Sequence, residues 1–287
     1  MSLFYGTAVA LVTPTIGSEI NYDETDKLVE RVAKGGANAL VALGSTGEAA
    51  TLDDIQKENF VSYIRKKTDM PLIVGVSSNN PDTVIKNCDM AMRIGADGAL
   101  IATPFYNKCT QDGAYEFFEY IANKISLPFI VYNVPARTGF NLLPTTTARI
   151  CRIKGADGIK EASGSLAQIQ KCLALGLNVY SGDDALTAET CMYGGNGVIS
   201  VAANVAPKQM SQITSLCRQG KTNEAAKIQF DLLPLIETLF SEVNPIPVRA
   251  ALKLVGIDCG KPRLPMTEAT AATIEKLKIQ LKELNIT

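Results

Sequence analysis

The chain has 287 residues, of which 46% are hydrophobic and 20% are charged, and its formal net charge is −1. This length and composition predict a large globular core, and the near-neutral charge argues against nucleic acid or an anionic membrane as a partner. Histidine and tryptophan are absent, which excludes Ser-His-Asp and Cys-His nucleophile pairs and the usual zinc sites. Proton transfer must therefore depend on lysine, tyrosine, carboxylates or water.

The seven cysteines are widely spaced, and no two of them form a C-x-x-C pair. This usage predicts reduced core thiols rather than a disulfide framework or a zinc site. The N-terminal residues lack the basic segment of a secretory signal, and no apolar run reaches the length of a membrane span. We therefore expect a cytoplasmic protein.

Eight short apolar or β-branched runs predict strands, and the amphipathic runs between them predict helices. The predicted strands are residues 7–13, 39–43, 72–76, 98–102, 129–132, 158–160, 179–181 and 197–201. The predicted helices are residues 22–34, 53–67, 82–93, 112–124, 144–152, 166–175, 186–193 and 207–218. This alternation indicates βαβ units and a parallel sheet.

Three predicted helix-to-strand joints have similar sequences, which begin at Gly36, Gly95 and Gly155. Glycine there allows the helix to end in a left-handed conformation, and the spacing corresponds to two units of roughly thirty residues each. Eight strands at this pitch predict an α/β fold, the (β/α)8 TIM barrel. A doubly wound sheet is the alternative, but residues 13–18 do not form the glycine-rich loop that such a sheet usually carries after its first strand.

After Gly220 the strand pattern ends, and residues 223–242, 248–254 and 267–284 predict three additional C-terminal helices. Prolines separate the first two of these helices, and a segment rich in glycine and proline separates the last. We therefore predict a catalytic barrel over residues 1–220 and a helical appendage over residues 221–287.

Lys160, near the end of the sixth predicted strand, is the main candidate for a reactive group. Burial at a strand end disfavours the charged ammonium and favours the neutral amine. A neutral lysine amine attacks ketones and aldehydes and forms a Schiff base. The local pattern alone also fits a strand-end lysine that faces solvent.

In a barrel of this kind the reactive side chains lie at the carboxyl ends of the strands. The second strand leads into Gly44-Ser-Thr-Gly-Glu48, whose hydroxyls and backbone N–H groups could hold a carboxylate. The fourth leads to Tyr106, and the fifth ends at Tyr132 and is followed by Arg137, a potential carboxylate clamp. A helix cap, an interface tyrosine and a surface salt bridge are the alternatives for these positions.

Four motifs in this order resemble the dihydrodipicolinate synthase family, a group of pyruvate-dependent class I aldolases also called 4-hydroxy-tetrahydrodipicolinate synthases. The motifs are Gly44-Ser-Thr-Gly-Glu48, Tyr132-Asn-Val-Pro-Ala-Arg-Thr-Gly139, the segment around Lys160, and Gly197-Val-Ile-Ser-Val201. The resemblance extends to the segment Glu242-Val-Asn-Pro-Ile-Pro247. It implies a TIM barrel with C-terminal helices that assembles into a homotetramer, a dimer of dimers.

The resemblance also implies catalytic roles. Lys160 would form an imine with pyruvate, and Tyr132 would donate and accept protons. Ser45 and Tyr106 would relay protons to Tyr132, with Tyr106 reaching in from a neighbouring subunit. No metal or organic cofactor would be required, because the imine on Lys160 is itself the electron sink.

Substrate-binding roles follow from the same resemblance. Thr46 and the backbone of Ile199 would hold pyruvate, Arg137 would hold the carboxylate of aspartate semialdehyde, and Gly182 would line the pocket. The implied reaction is the first committed step of diaminopimelate and lysine biosynthesis. The alternatives are an N-acetylneuraminate lyase or keto-deoxy sugar-acid aldolase, which generally lack arginine at this position, and an inactive keto-acid-binding protein.

Two departures from the family pattern concern the relay and regulation. Ser45 stands where many relatives carry threonine, and serine retains the hydroxyl group that the relay needs. Lysine-inhibited relatives carry histidines, a glutamate and a tyrosine where this chain has Asp54, Lys57, Thr83 and Phe105. We therefore predict weak or absent inhibition by lysine.

Overall fold

The computed structural model describes residues 2–287, and its main feature is a closed barrel of eight parallel strands. The strands are β1 (Gly6–Ala10), β2 (Ala39–Ala42), β3 (Leu72–Gly75), β4 (Gly98–Ala102), β5 (Phe129–Asn133), β6 (Ala156–Glu161), β7 (Val179–Ser181) and β8 (Gly197–Ser200). Each strand pairs with its neighbours in sequence, and β8 pairs with β1. The predicted TIM barrel is confirmed.

One helix follows each barrel strand. These helices are α1 (Tyr22–Lys34), α2 (Asp54–Lys67), α3 (Pro81–Ile94), α4 (Gln111–Ala122), α5 (Pro144–Cys151), α6 (Leu166–Ala174), α7 (Thr187–Met192) and α8 (Pro207–Arg218). The three predicted C-terminal helices are α9 (Thr222–Leu239), α10 (Ile246–Leu254) and α11 (Ala271–Glu283). The division of the chain at residue 220 remains a prediction.

The helices begin and end at the signals that the sequence carries. Asp53 and Gln56 form a capping box at the start of α2, in which each side chain bonds the other's backbone N–H. The three predicted joint glycines, Gly36, Gly95 and Gly155, have φ angles of +86°, +86° and +94°. These left-handed conformations explain why glycine occupies the joints.

The strands separate two hydrophobic cores, because successive side chains of a strand point to opposite faces of the sheet. The inner core fills the barrel with Val41, Ile73, Leu100, Ile130 and similar side chains. Outer-facing side chains pack against the helices and form a much larger second core. The barrel is therefore closed below its mouth, and only the ends of the strands are left to form a site.

At the amino-terminal end of the barrel, the ring of Phe4 stacks on Tyr180 at 4.3 Å between centroids. The Tyr180 hydroxyl donates to Asp157 at 2.9 Å. These contacts occupy the end of the barrel opposite to the carboxyl ends of the strands. A functional site is therefore expected at the other end.

The short elements that were not predicted from the sequence include a hairpin and a helical turn. Thr15–Ile16 and Glu19–Ile20 form a two-stranded hairpin after β1, and Pro135–Thr138 forms one helical turn after β5. Each is too short to show a helical or strand periodicity. Within residues 2–287 no helix is both long and apolar enough to cross a membrane.

The prediction of core thiols is only partly correct. All seven cysteines are free, but only Cys88, Cys172 and Cys259 are buried. The other four are half-buried: Cys109, Cys151, Cys191 and Cys217.

Candidate active site

Lys160 and Tyr132 are neighbours at the mouth of the barrel. They are directly paired in the parallel register of β6 and β5. The Lys160 Nζ atom lies 4.3 Å from the centroid of the Tyr132 ring. The next residue, Glu161, faces the helical layer, where Asn133 and Gln168 donate hydrogen bonds to it. The alternation of the strand thus places the lysine inside the barrel and the glutamate outside.

The amine of Lys160 is protected from water, since the residue is 6% exposed. Burial lowers the pKa of Lys160 to about 8, while the Asp184 carboxylate acts to raise this pKa and Arg137 lowers it further. Gly182 leaves room for the lysine, because a Cβ atom there would lie 3.0 Å from both Cε and Cγ of Lys160. Near physiological pH the amine is therefore neutral far more often than that of an ordinary lysine, while the ammonium remains the major form.

Tyr132 is prepared to donate a proton. Burial raises the pKa of Tyr132 to about 12, although Arg137 and the Ser45 hydroxyl act in the opposite direction. The phenol is therefore protonated at neutral pH and can protonate an oxygen that leaves as water. Its action as a base requires a partner that removes its proton.

Asp184 connects the loops that follow β7 and β8. It is 1% exposed, and its Oδ2 atom accepts hydrogen bonds from the backbone N–H groups of Val201 and Ala202 at 3.0 and 2.9 Å. Burial raises the pKa of Asp184 to about 6, partly offset by the Ser200 hydroxyl and by these N–H groups. Asp184 therefore provides a nearby negative charge without an ion pair to Lys160.

The loop Gly44–Glu48 carries Ser45 and Thr46 and has a constrained backbone. Leu43 and Glu48, at its two ends, have φ angles of +58° and +53°, which are uncommon for residues other than glycine. The Thr13 hydroxyl donates to the carbonyl of Gly47 at 2.7 Å. Strained backbone of this kind is typical of functional loops.

A cavity of about 480 Å³ opens beside these residues, and its size suits a small organic ligand. Among the residues that line it are Ser45, Tyr132, Arg137, Asn244 and Met266. Lys160 and Thr46 do not line the cavity; Lys160 lies beside the ring of Tyr132, and Thr46 is buried. Tyr132 therefore borders the cavity and also lies beside the reactive amine.

Arg137 lies in the helical turn after β5 and is exposed at the mouth. Its Nη2 atom donates to the backbone carbonyl of Asn244 at 3.2 Å. The remaining donors of its guanidinium group are available to a carboxylate that enters the cavity.

Two further predicted site residues differ in their surroundings. Ile199 is buried in the inner core of the barrel. Tyr106 is 89% exposed, has a φ angle of +62°, and is not among the residues that line the cavity. Within a single chain the structure does not bring Tyr106 to Tyr132.

Asp184 and Asn244 contact the site but were not identified as site residues from the sequence. The segments Ser181-Gly-Asp-Asp184 and Glu242-Val-Asn-Pro-Ile-Pro247 contain them. The signal that could have found them is a polar side chain beside a glycine or proline in these segments. Among residues 2–287, no cluster of three or more His, Cys, Asp or Glu side chains could hold a metal ion.

Comparison with known proteins places this chain in a family. A model described as the dihydrodipicolinate synthetase family matches residues 3–284. The 4-hydroxy-tetrahydrodipicolinate synthase of Thermotoga neapolitana is 43% identical over 290 residues, which cover 98% of this chain and 99% of the relative.

Two solved structures are similar over nearly the whole chain. Dihydrodipicolinate synthase from Thermotoga maritima has a TM-score of 0.97 at 39% identity, covering 99% of this chain and 100% of that one. The chloride-inhibited enzyme from Acinetobacter baumannii complexed with pyruvate has a TM-score of 0.96 at 36% identity, with the same two coverages.

Proposed function

The chain belongs to the dihydrodipicolinate synthetase family, and we propose that it condenses pyruvate with L-aspartate 4-semialdehyde to give 4-hydroxy-tetrahydrodipicolinate. It is a lyase of the class I aldolase type, and this reaction is the first committed step of diaminopimelate and lysine biosynthesis. The observation that carries the proposal is the buried amine of Lys160, whose pKa is lowered to about 8, beside the protonated phenol of Tyr132.

The first step is imine formation. The neutral amine of Lys160 attacks C2 of pyruvate, and the carbonyl oxygen leaves as water after it has been protonated. Tyr132 is the proton donor for this oxygen, because its ring lies beside Nζ and its phenol carries a proton at neutral pH. The Thr46 hydroxyl and the backbone of Ile199 hold the carboxylate and keto groups of pyruvate.

The second step is formation of the carbon–carbon bond. The protonated imine makes the methyl group acidic, because loss of its proton gives a neutral enamine. Tyr132 passes this proton through the Ser45 hydroxyl to Tyr106 of a neighbouring subunit. The exposure of Tyr106 at the tip of its loop supports this role. The enamine carbon then attacks the aldehyde carbon of the second substrate, and the aldehyde oxygen takes a proton from Tyr132 and becomes the hydroxyl group of the product.

The last step closes the ring. The amino group of the second substrate attacks C2 of the imine, and the Lys160 amine is released. Arg137 holds the carboxylate of this substrate at the cavity entrance, and Gly182 lines the pocket beside Lys160. No metal or organic cofactor takes part, because the protonated imine accepts the electrons.

We also propose that the protein assembles as a homotetramer, a dimer of dimers, in which Tyr106 completes the site of the adjacent subunit, and that it acts in the cytoplasm.

We propose further that lysine does not inhibit it appreciably. Lys57 lines the cavity, and Asp54 lies 2.8 Å from the Lys86 Nζ atom. These ammonium groups disfavour the binding of a cationic ligand such as lysine. A several-fold loss of activity at submillimolar lysine would contradict the proposal that lysine does not inhibit the protein.

Two measurements test the function. Borohydride reduction in the presence of pyruvate should add the mass of one pyruvate-derived group to the peptide that contains Lys160. A coupled assay should then show turnover with aspartate semialdehyde and none with N-acetylneuraminate or keto-deoxy sugar acids. An adduct without turnover would instead favour a keto-acid-binding protein, and absence of the adduct would rule out the proposed chemistry.

A further inference from the structure

The segment between α9 and α10 reaches the mouth of the barrel through Asn244. This residue is 7% exposed and lines the cavity. Its side-chain Nδ2 atom donates to the Thr46 Oγ1 atom at 3.0 Å, although the two residues are 198 positions apart. Its backbone carbonyl accepts the hydrogen bond from Arg137. One residue of the C-terminal region therefore contacts both proposed carboxylate-binding side chains.

The hydrogen bond from Asn244 determines what the Thr46 hydroxyl can do. A hydroxyl has one hydrogen to donate and two acceptor lone pairs. The amide N–H of Asn244 occupies one lone pair, and no group in residues 2–287 accepts the hydroxyl hydrogen. The hydrogen of Thr46 is thus left for a ligand, which is the arrangement that an anionic carboxylate requires.

The amide of Asn244 has an unused acceptor as well. Its Oδ1 atom is buried and has no hydrogen-bond partner within residues 2–287. A buried carbonyl oxygen of this kind is usually satisfied by water or a ligand. The stability of the fold alone does not explain a polar amide whose oxygen is buried without a partner.

Contacts other than the hydrogen bond to Thr46 hold Asn244 in place. The N–H of Ile246 donates to the carbonyl of Val243 at 2.8 Å. On α10, Arg249 forms a buried ion pair with Glu48, at the end of the loop that carries Thr46. The segment with Asn244 and the loop with Thr46 are therefore attached to each other independently of the Asn244–Thr46 hydrogen bond.

We propose that Asn244 is a positioning residue for pyruvate: its amide keeps the Thr46 hydroxyl oriented as a hydrogen-bond donor to the pyruvate carboxylate. This inference rests on the proposed function. It assigns to the C-terminal region a direct part in recognition of the first substrate. The contact with Arg137 is made by the backbone, so a side-chain substitution at Asn244 should affect pyruvate and leave the second substrate largely unaffected.

The test measures the pyruvate concentration at which half of Lys160 is trapped by borohydride. Asn244→Ala should raise this concentration roughly fivefold to tenfold, the effect of one lost hydrogen bond. Asn244→Asp should raise it further, because a carboxylate accepts the Thr46 hydrogen and repels the pyruvate anion. The KM for aspartate semialdehyde and kcat should each stay within about threefold.

A double-mutant cycle separates positioning from a general structural effect. If Asn244 acts through Thr46, the variant that combines Thr46→Val and Asn244→Ala should bind pyruvate no more weakly than Thr46→Val alone. The matched control is Gln280→Ala, because the Gln280 amide also donates to a threonine hydroxyl, Thr238 Oγ1, at 2.9 Å, and also has an unpaired oxygen. This control should leave pyruvate trapping unchanged.

The outcomes distinguish this inference from the function on which it rests. Absence of a pyruvate adduct in the unsubstituted protein would overturn both. Normal trapping with unchanged half-saturation in the Asn244→Ala and Asn244→Asp variants would overturn the positioning role alone. The positioning role would also be overturned if the Thr46 and Asn244 substitutions had independent effects on pyruvate binding. Equal increases in the KM values of both substrates would overturn it as well.

Discussion

Two buried cations in this protein have opposite surroundings. Lys160, at the barrel mouth, and Arg249, on α10 beneath the Gly44–Glu48 loop, are 6% and 3% exposed. Both have been removed from water, which is costly for a charged group. They differ in the hydrogen-bond and ion-pair partners that replace the water. This difference makes Lys160 reactive and Arg249 structural.

Arg249 is surrounded by acceptors. Its guanidinium group forms an ion pair with the buried Glu48. It also donates to the Thr13 carbonyl at 3.0 Å and to the Thr15 hydroxyl at 2.9 Å, and to the carbonyl oxygens of Cys259, Gly260 and Lys261. Hydrogen bonds on all sides hold the guanidinium group in one orientation. It joins the C-terminal helices to the active-site loop.

Lys160 has no such partners. Within residues 2–287 its amine forms no salt bridge, and its Nζ atom lies 4.3 Å from the centroid of the Tyr132 ring. The carboxylate of Asp184 is directed to the backbone N–H groups of Val201 and Ala202 instead. Burial without pairing lowers the pKa of the amine to about 8. The comparison teaches that pairing, and not burial alone, decides whether a buried cation can react.

The largest expected effect is on catalysis. Lys160→Met should reduce kcat/KM for pyruvate by about 10⁴-fold or more, because the nucleophile is lost. No pyruvate adduct should be trapped. The matched control is Lys154→Met, since Lys154 is exposed in the turn that precedes β6. More than a few per cent of the original activity in Lys160→Met would contradict the assigned role.

The next effect is on stability. Arg249→Met should lower the free energy of unfolding by about 3–5 kcal/mol, because Glu48 is left buried without its partner. Lys253→Met, one turn further along α10, removes an exposed pair with Asp258 and should cost less than about 1 kcal/mol. Denaturant unfolding provides the measurement, and similar losses in the two variants would show that Arg249 is not a structural anchor.

Replacement of the reactive cation by methionine should change the free energy of unfolding in the opposite direction. Lys160→Met should raise the free energy of unfolding by about 1–3 kcal/mol at neutral pH, because the lowered pKa reflects a cost of burying the ammonium. This cost is complete below the folded-state pKa of about 8 and disappears above the ordinary value of 10.5. The gain should therefore shrink as pH rises through this interval. A destabilised variant at neutral pH would refute the argument.

The smallest effect is a shift in pH dependence. The rate of adduct formation should rise with pH and level off above a midpoint near 8, as the Lys160 amine loses its proton. Asp184→Asn should move the midpoint to lower pH, since the carboxylate acts to raise the pKa of Lys160. Asp157→Asn, at the opposite end of β6, is the control and should leave the midpoint in place. A shift to higher pH in Asp184→Asn would contradict this electrostatic account.

The sequence by itself determined the order of the elements. Strand and helix periodicity and the joint glycines depend on neighbouring residues, so the barrel and its three C-terminal helices were predicted correctly. Because parallel strands of a barrel end at one rim, the nearness of Tyr132 and Lys160 also followed from their positions in β5 and β6.

Only the tertiary structure decided the bonding around the site. The Arg249–Glu48 ion pair joins residues 201 positions apart, and the Asn244–Thr46 hydrogen bond joins residues 198 positions apart. The residues next to each of these positions in the sequence do not predict which distant residue will be its partner. Hydrogen bonds require distances and angles within narrow limits, and these are set by how the C-terminal helices pack on the barrel. Whether a buried polar side chain is paired or free, and hence structural or reactive, is therefore a property of the folded chain.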